Sequence, residues 1–130
     1  MATQKYKEQP PNFRLAVGSI AIKGNLLHWC KQHGHPPIPL PLPILVCLRR
    51  HMSGDWGELG KEDWKLNNDS VNHDKTWRVL SKYSVTVGND TDSDSDDIYI
   101  ITEWNVLDPH VDDMGNKTFR RTTVFFCRDY

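Results

Sequence analysis

The sequence predicts an α+β fold: an N-terminal strand and two to three short helices packed on a C-terminal three-stranded antiparallel meander. Three observations carry this expectation. Apolar residues recur at helical spacing between positions 24 and 71, and they alternate at period two in three segments after position 77. Glycine, asparagine and proline punctuate the boundaries between these segments.

Residues 1–12 are polar, broken by Pro10-Pro11, and read as a flexible leader before a single domain at 13–130. Residues 13–22 (FRLAVGSIAI) are apolar and β-prone, a first strand. Gly24-Asn25 opens a helix whose Leu26, Leu27, Cys30 and His33 share a face, with Gly34 suited to its C-terminal cap. Residues 36–43 hold five prolines in eight, which makes this stretch an extended connector. Pro43 can start a second helix carrying Ile44, Leu45 and Leu48, and Arg49-Arg50-His51 near its end suit the dipole there. Gly54 and Gly57 bracket a turn around Asp55-Trp56. A third helix follows Gly60, with Trp64, Asn67 and Val71 at helical spacing and an acidic first turn. Strands are predicted at 77–87, 98–104 and 122–127, joined by loops at 88–97 and 105–120.

The chain has 130 residues, enough to bury one core without disulfides or metal. Its net charge of −1 hides an asymmetry. Residues 1–60 hold seven Lys/Arg against three Asp/Glu, and residues 61–130 hold nine against fourteen, so the halves carry +4 and −5. Neither is the strongly basic balance of a dedicated duplex binder, so direct nucleic-acid binding is not the expectation. Three scattered cysteines (Cys30, Cys47, Cys127) do not make a disulfide scaffold. The first residues lack the apolar core of a signal peptide, and the run Ile38 to Leu48 is too short and proline-rich to span a bilayer, so a cytoplasmic protein without membrane contact is expected.

No complete catalytic or metal-binding set emerges. His28, Cys30, His33, His35, Cys47 and His51 match no common zinc spacing. The Asp-rich run from Asp90 begins like a calcium loop, but Ser95 stands where glycine is needed and Ile101 where glutamate is needed. No metal or cofactor is therefore expected. GxSxG and phosphate-binding glycine loops are lacking too. The acid/base candidates are His51, Asp55, Glu58 and Glu103. Candidates for partner binding are Asp90, Asp92, Asp94, Asp96 and Asp97, whose clustered carboxylates can mimic a phosphate backbone. Trp56 and Trp104 join them as aromatic anchors.

The segment Arg50-His51-Met-Ser-Gly54-Asp55-Trp56-Gly57-Glu58-Leu59 is distinctive, followed by Glu62-Asp63 and Asn67-Asn68. Downstream come Arg78-Val-Leu80-Ser81-Lys-Tyr83, Ile98-Tyr-Ile-Ile-Thr102-Glu103, Thr122-Thr123-Val124 and Asp129-Tyr130. Together these resemble a family of small "plasmid-related" proteins found on plasmids, integrative elements and phages. The resemblance covers about residues 45–130. It implies a mobile-element accessory protein that acts by binding a protein partner, such as a basic nucleic-acid-binding complex. Through an acidic surface it would inhibit a host defence assembly in the anti-restriction or anti-CRISPR manner, as a monomer or small oligomer. The alternative is a small ribonuclease-type toxin or nuclease. Two departures from the family pattern stand out: the insertion at 105–120 and the acidity of 88–97.

Overall fold

The computed structural model describes residues 14–32, 34, 40–71, 76–86, 95–111 and 114–130. The predicted leader, His33, His35, Asp90, Asp92 and Asp94 lie outside them. The chain runs through β1 (Ser19–Ile22), α1 (Gly24–Gln32), α2 (Leu42–Met52), α3 (Lys61–Ser70), β2 (Thr76–Thr86) and β3 (Ser95–Asn105). A small hairpin follows, β4 (His110–Val111) with β5 (Lys117–Thr118), then β6 (Arg120–Phe126) and a 3₁₀ turn at Cys127–Asp129.

The fold is α+β. The main sheet has the order β1-β6-β3-β2. β2, β3 and β6 pair antiparallel in succession, as the period-two alternation requires. The meander expectation holds only in part, because β1 adds a parallel strand beside β6 and a hairpin interrupts the predicted loop at 105–120. β1 is also shorter than residues 13–22. The chain before it turns back toward α2, where the Leu15 amide donates to the Met52 carbonyl at 2.8 Å. β3 begins earlier than expected, so Asp96 and Asp97 belong to a strand and not to a loop.

Alternation sorts the sheet into two faces. Val79, Ser81 and Tyr83 of β2 share a face with Ile98, Ile100 and Thr102 of β3 and Thr122, Val124 and Phe126 of β6. The helices cover this face. Leu26, Trp29 and Cys30 of α1 and Ile44, Cys47 and Leu48 of α2 close the larger core cluster, and Trp56, Trp64, Val79 and Leu15 form a second one under α3. The opposite face carries Arg78, Tyr99, Ile101, Glu103, Arg121, Thr123 and Phe125 at the alternate positions. The 3₁₀ turn at Cys127–Asp129 brings Tyr130 onto Phe125 and Tyr99 of this face, and no helix among the described residues is long and apolar enough to cross a membrane.

Candidate functional site

The Arg50–Leu59 motif is the natural first place to look for chemistry, and its side chains are consumed by structure. Arg50 Nε donates to Asp55 Oδ2 at 2.7 Å, and its guanidinium lies 4.8 Å from the centre of the Tyr83 ring. Tyr83 donates its hydroxyl to the Asp55 carbonyl at 2.7 Å, and Asp55 Oδ1 accepts the Gly57 amide at 3.2 Å. Asp55 is thus the tie of a tight turn, with no arrangement around it for proton transfer. Trp56 is fully buried, its indole N–H held by Asn68 Oδ1 at 2.9 Å. The expectation that Trp56 anchors a partner is corrected: no part of the ring reaches the surface.

The same motif closes the free edge of the sheet. An edge strand exposes unpaired N–H and C=O groups that invite other chains to add on. On β2 these groups are capped one after another. The Lys82 amide donates to the Trp56 carbonyl, and the Lys82 carbonyl accepts the Glu58 amide at 2.7 Å. Asn67 imitates a strand with its side chain, donating to the Leu80 carbonyl at 2.6 Å and accepting the Leu80 amide at 3.2 Å. Ser70 Oγ does the same for Arg78. Gly57 permits the approach, with φ of 78° and a hypothetical Cβ only 2.0 Å from the Lys82 carbonyl oxygen.

His51 is corrected as a catalytic candidate. It is fully buried, on the face of α2 turned to the sheet. Its Nδ1 meets Ser81 Oγ at 2.5 Å and its Nε2 meets Thr102 Oγ1 at 2.8 Å. Thr102 reaches Thr122 at 2.7 Å, and Thr122 donates to the Val17 carbonyl at 2.7 Å. That carbonyl can only accept, which sets the direction of the whole chain. Thr122 spends its proton on Val17, Thr102 spends its own on Thr122, so His51 Nε2 must carry hydrogen and Nδ1 must accept from Ser81. Burial pulls the imidazole pKa down to about 3. The ring is a neutral, fully satisfied cross-brace between α2, β2 and β3, so only Arg49 and Arg50 complement the α2 dipole.

The other candidates fall in different places. Asp97 pairs across to β2, accepting Ser84 Oγ at 2.9 Å and facing Lys82 Nζ at 3.6 Å. This ties it to the sheet face. Asp96 pairs in register with Val85. Trp104 is half-buried between its neighbours on the flanking strands, Trp77 stacked at 6.4 Å and the Arg120 guanidinium at 4.6 Å, so its ring faces are already in use. Burial pushes the Cys47 thiol up to about 11 and the Cys30 thiol up as well, which leaves both unreactive.

Of the acid/base candidates, Glu103 lines the clefts of the open sheet face, whereas Asp55, although its side chain is 40% exposed, is tied to Arg50 and Gly57. On the open face Arg78, Glu103 and Arg121 align in register across β2, β3 and β6, a carboxylate flanked by two guanidiniums. Arg121 Nη2 donates to Glu103 Oε1 at 3.4 Å, and Arg121 Nη1 donates to His110 Nδ1 at 3.4 Å. His110 comes from β4 of the inserted hairpin. Glu103, Arg121 and His110 line a cleft of about 410 Å³ together with Asp108, Val111 and Phe119. On the other side of Glu103 a second pocket of about 300 Å³ opens over Ile101 and Thr123 toward Tyr130. Sequence reading missed Arg78, Arg121, His110 and Tyr130. The signal for two of these was the alternation itself: Arg78 and Arg121, like Glu103, each sit one residue out of phase with a buried neighbour.

No protein-family model, curated protein or solved structure matches this chain.

Proposed function

We propose that the open sheet face is an active site for RNA phosphodiesters, which makes the protein a small ribonuclease-type enzyme. One observation carries this reading: Arg121 holds a carboxylate and an imidazole, one at each of its two terminal nitrogens, at a solvent-open cleft. A phosphodiester anion docking on Arg121, with Arg78 beside it, would place Glu103 and His110 on opposite sides of the phosphorus. Glu103 takes the proton of the ribose 2′-hydroxyl as that oxygen attacks phosphorus. The bond from phosphorus to the 5′-oxygen breaks; with its Nδ1 freed as the phosphate takes over Arg121, His110 acts as general acid and gives a proton to the leaving oxygen. The products are a 2′,3′-cyclic phosphate and a 5′-hydroxyl. The two guanidiniums stabilise the charge that builds on the phosphoryl oxygens. This chemistry selects RNA, because DNA lacks the internal nucleophile. Overall charge argued against a nucleic-acid ligand, yet within the row itself two guanidiniums flank one carboxylate. Expression in a bacterial host tests the reading. Wild type should arrest growth with loss of intact RNA, and His110→Ala should be harmless at equal abundance. Harmless wild type with intact RNA contradicts it.

A second reading keeps the expected role of a mobile-element accessory protein that binds a defence complex. It is favoured by the inserted hairpin region, where Leu107 (71% exposed), Met114 (86%), Val111 (54%) and Phe119 (44%) present apolar surface. Capture of a bacterial protein by wild type, lost in Leu107→Asp/Met114→Asp, supports it. Capture that survives both substitutions removes this surface from consideration.

A further inference from the structure

The pocket beside Glu103 has a built wall that the cleavage chemistry does not use. Tyr130 is 74% exposed, yet it is fixed on three sides. It stacks on Phe125 at 5.6 Å, meets the Tyr99 ring edge-on at 5.4 Å, and accepts Arg78 Nη2 on its hydroxyl at 3.1 Å. The preceding residue is tied down too, since Asn25 of α1 donates to Asp129 at 3.2 Å. An exposed aromatic ring costs nothing further to order when it is already immobilised, so it is ready to stack on a second flat ring. The floor is apolar: Ile101 and Phe125 are each 6% exposed, with Thr123 between them and Lys23 at the rim.

Position along the strand adds the second argument. Ile101 lies two residues from Glu103 on β3, and Thr123 lies two residues from Arg121 on β6. At about 3.4 Å per residue the floor is roughly 7 Å from the charged row. That is the reach from a nucleobase across its ribose to its own 3′-phosphate. The charged row is also the wall shared by the two clefts, since Glu103 lines both. A strand crossing it would leave one base on the Tyr130 side and its leaving nucleotide on the His110 side.

We propose that the Ile101–Thr123–Phe125–Tyr130 pocket is a nucleobase subsite, taking the base on the 5′ side of the bound phosphate. The inference rests on the nuclease reading for where the phosphate sits. Stacking on an aromatic residue tolerates every base, so the subsite recognises a flat heterocycle in single-stranded nucleic acid.

Nuclear magnetic resonance titration with nucleoside 3′-monophosphates and with ribose 5-phosphate tests this at matched charge. Nucleotides should bind wild type about 10-fold more tightly than ribose phosphate, within the range expected for one base stacked on an aromatic ring. Tyr130→Leu should abolish that difference, and Tyr130→Phe, which loses the same hydrogen bond to Arg78 but keeps the ring, should preserve it. Arg121→Gln should weaken both ligands together. Equal binding of nucleotide and ribose phosphate by wild type overturns the subsite, as does a Tyr130→Leu protein that keeps the preference, or no binding of either ligand. RNA cleavage by a protein that binds nucleotide and ribose phosphate equally rejects the subsite and spares the nuclease. Base-dependent binding without cleavage does the reverse.

Discussion

Acidification, compared between wild type and a variant that cannot titrate at position 51, isolates His51. Its imidazole is neutral in the fold, with a pKa pulled down to about 3 by burial, against 6.5 in the unfolded chain. Above pH 6.5 both states are neutral there, and the stabilising effect of the brace is fully present. As pH falls below 6.5 the unfolded chain takes up a proton that the folded chain refuses until about pH 3. Unfolding therefore becomes easier by up to about 1.4 kcal/mol per pH unit. Between pH 6.5 and 5 this amounts to about 2 kcal/mol. Cys47 on the same helix and Tyr83 on β2 are pushed up by burial and stay neutral throughout, so they add no slope. Surface carboxylates do contribute, and a His51→Gln variant subtracts them. Glutamine can still donate to Thr102 and accept from Ser81, but it does not titrate. Urea unfolding of both proteins from pH 7.5 to 4.5 supplies the comparison. Wild type should lose about 2 kcal/mol more than the variant between pH 6.5 and 5. Parallel stability curves would refute the buried neutral brace.

Two further substitutions probe the edge cap. Asn67→Ala leaves the Leu80 amide and carbonyl without their partners and should cost about 2 kcal/mol in denaturant unfolding. The uncovered edge should also raise self-association, read by light scattering; a protein as stable and monodisperse as wild type would show that the cap is dispensable. Gly57→Ala forces a side chain against the Lys82 carbonyl at an unfavourable φ, and a loss of more than about 3 kcal/mol is expected from thermal melts.

The β2, β3 and β6 strands were legible because each alternates, and the core face follows from the phase of that alternation. Helices α2 and α3 were legible from the proline and the acidic residues in their first turns. β1 was overestimated: the apolar residues before it pack as irregular chain on α2, and period alone cannot separate the two outcomes. Asp96 and Asp97 read as loop because five close carboxylates suggest solvent. The pairing of β3 with β2 extends into them, and Lys82 offsets the charge of Asp97. The site was legible only at Glu103. His51 and Asp55 looked like chemistry because polar residues cluster in the motif, yet that cluster exists to satisfy buried backbone and edge groups. Arg121 and His110 meet through a hairpin whose geometry no local pattern encodes.

The most direct measurement concerns Glu103 and the ribose hydroxyl together. A fluorescent RNA oligonucleotide, and its copy with one 2′-deoxy nucleotide, are incubated with wild type and Glu103→Gln in the presence of EDTA, and the products are weighed by mass spectrometry. Wild type is expected to cleave the RNA to 2′,3′-cyclic phosphate ends while sparing the bond after the deoxy nucleotide. Glu103→Gln should be slower by about 100-fold or more, with an unchanged melting temperature, since the carboxylate sits on the open face. No cleavage by wild type, cleavage after the deoxy nucleotide, or full activity in Glu103→Gln would contradict an active site on the open sheet face.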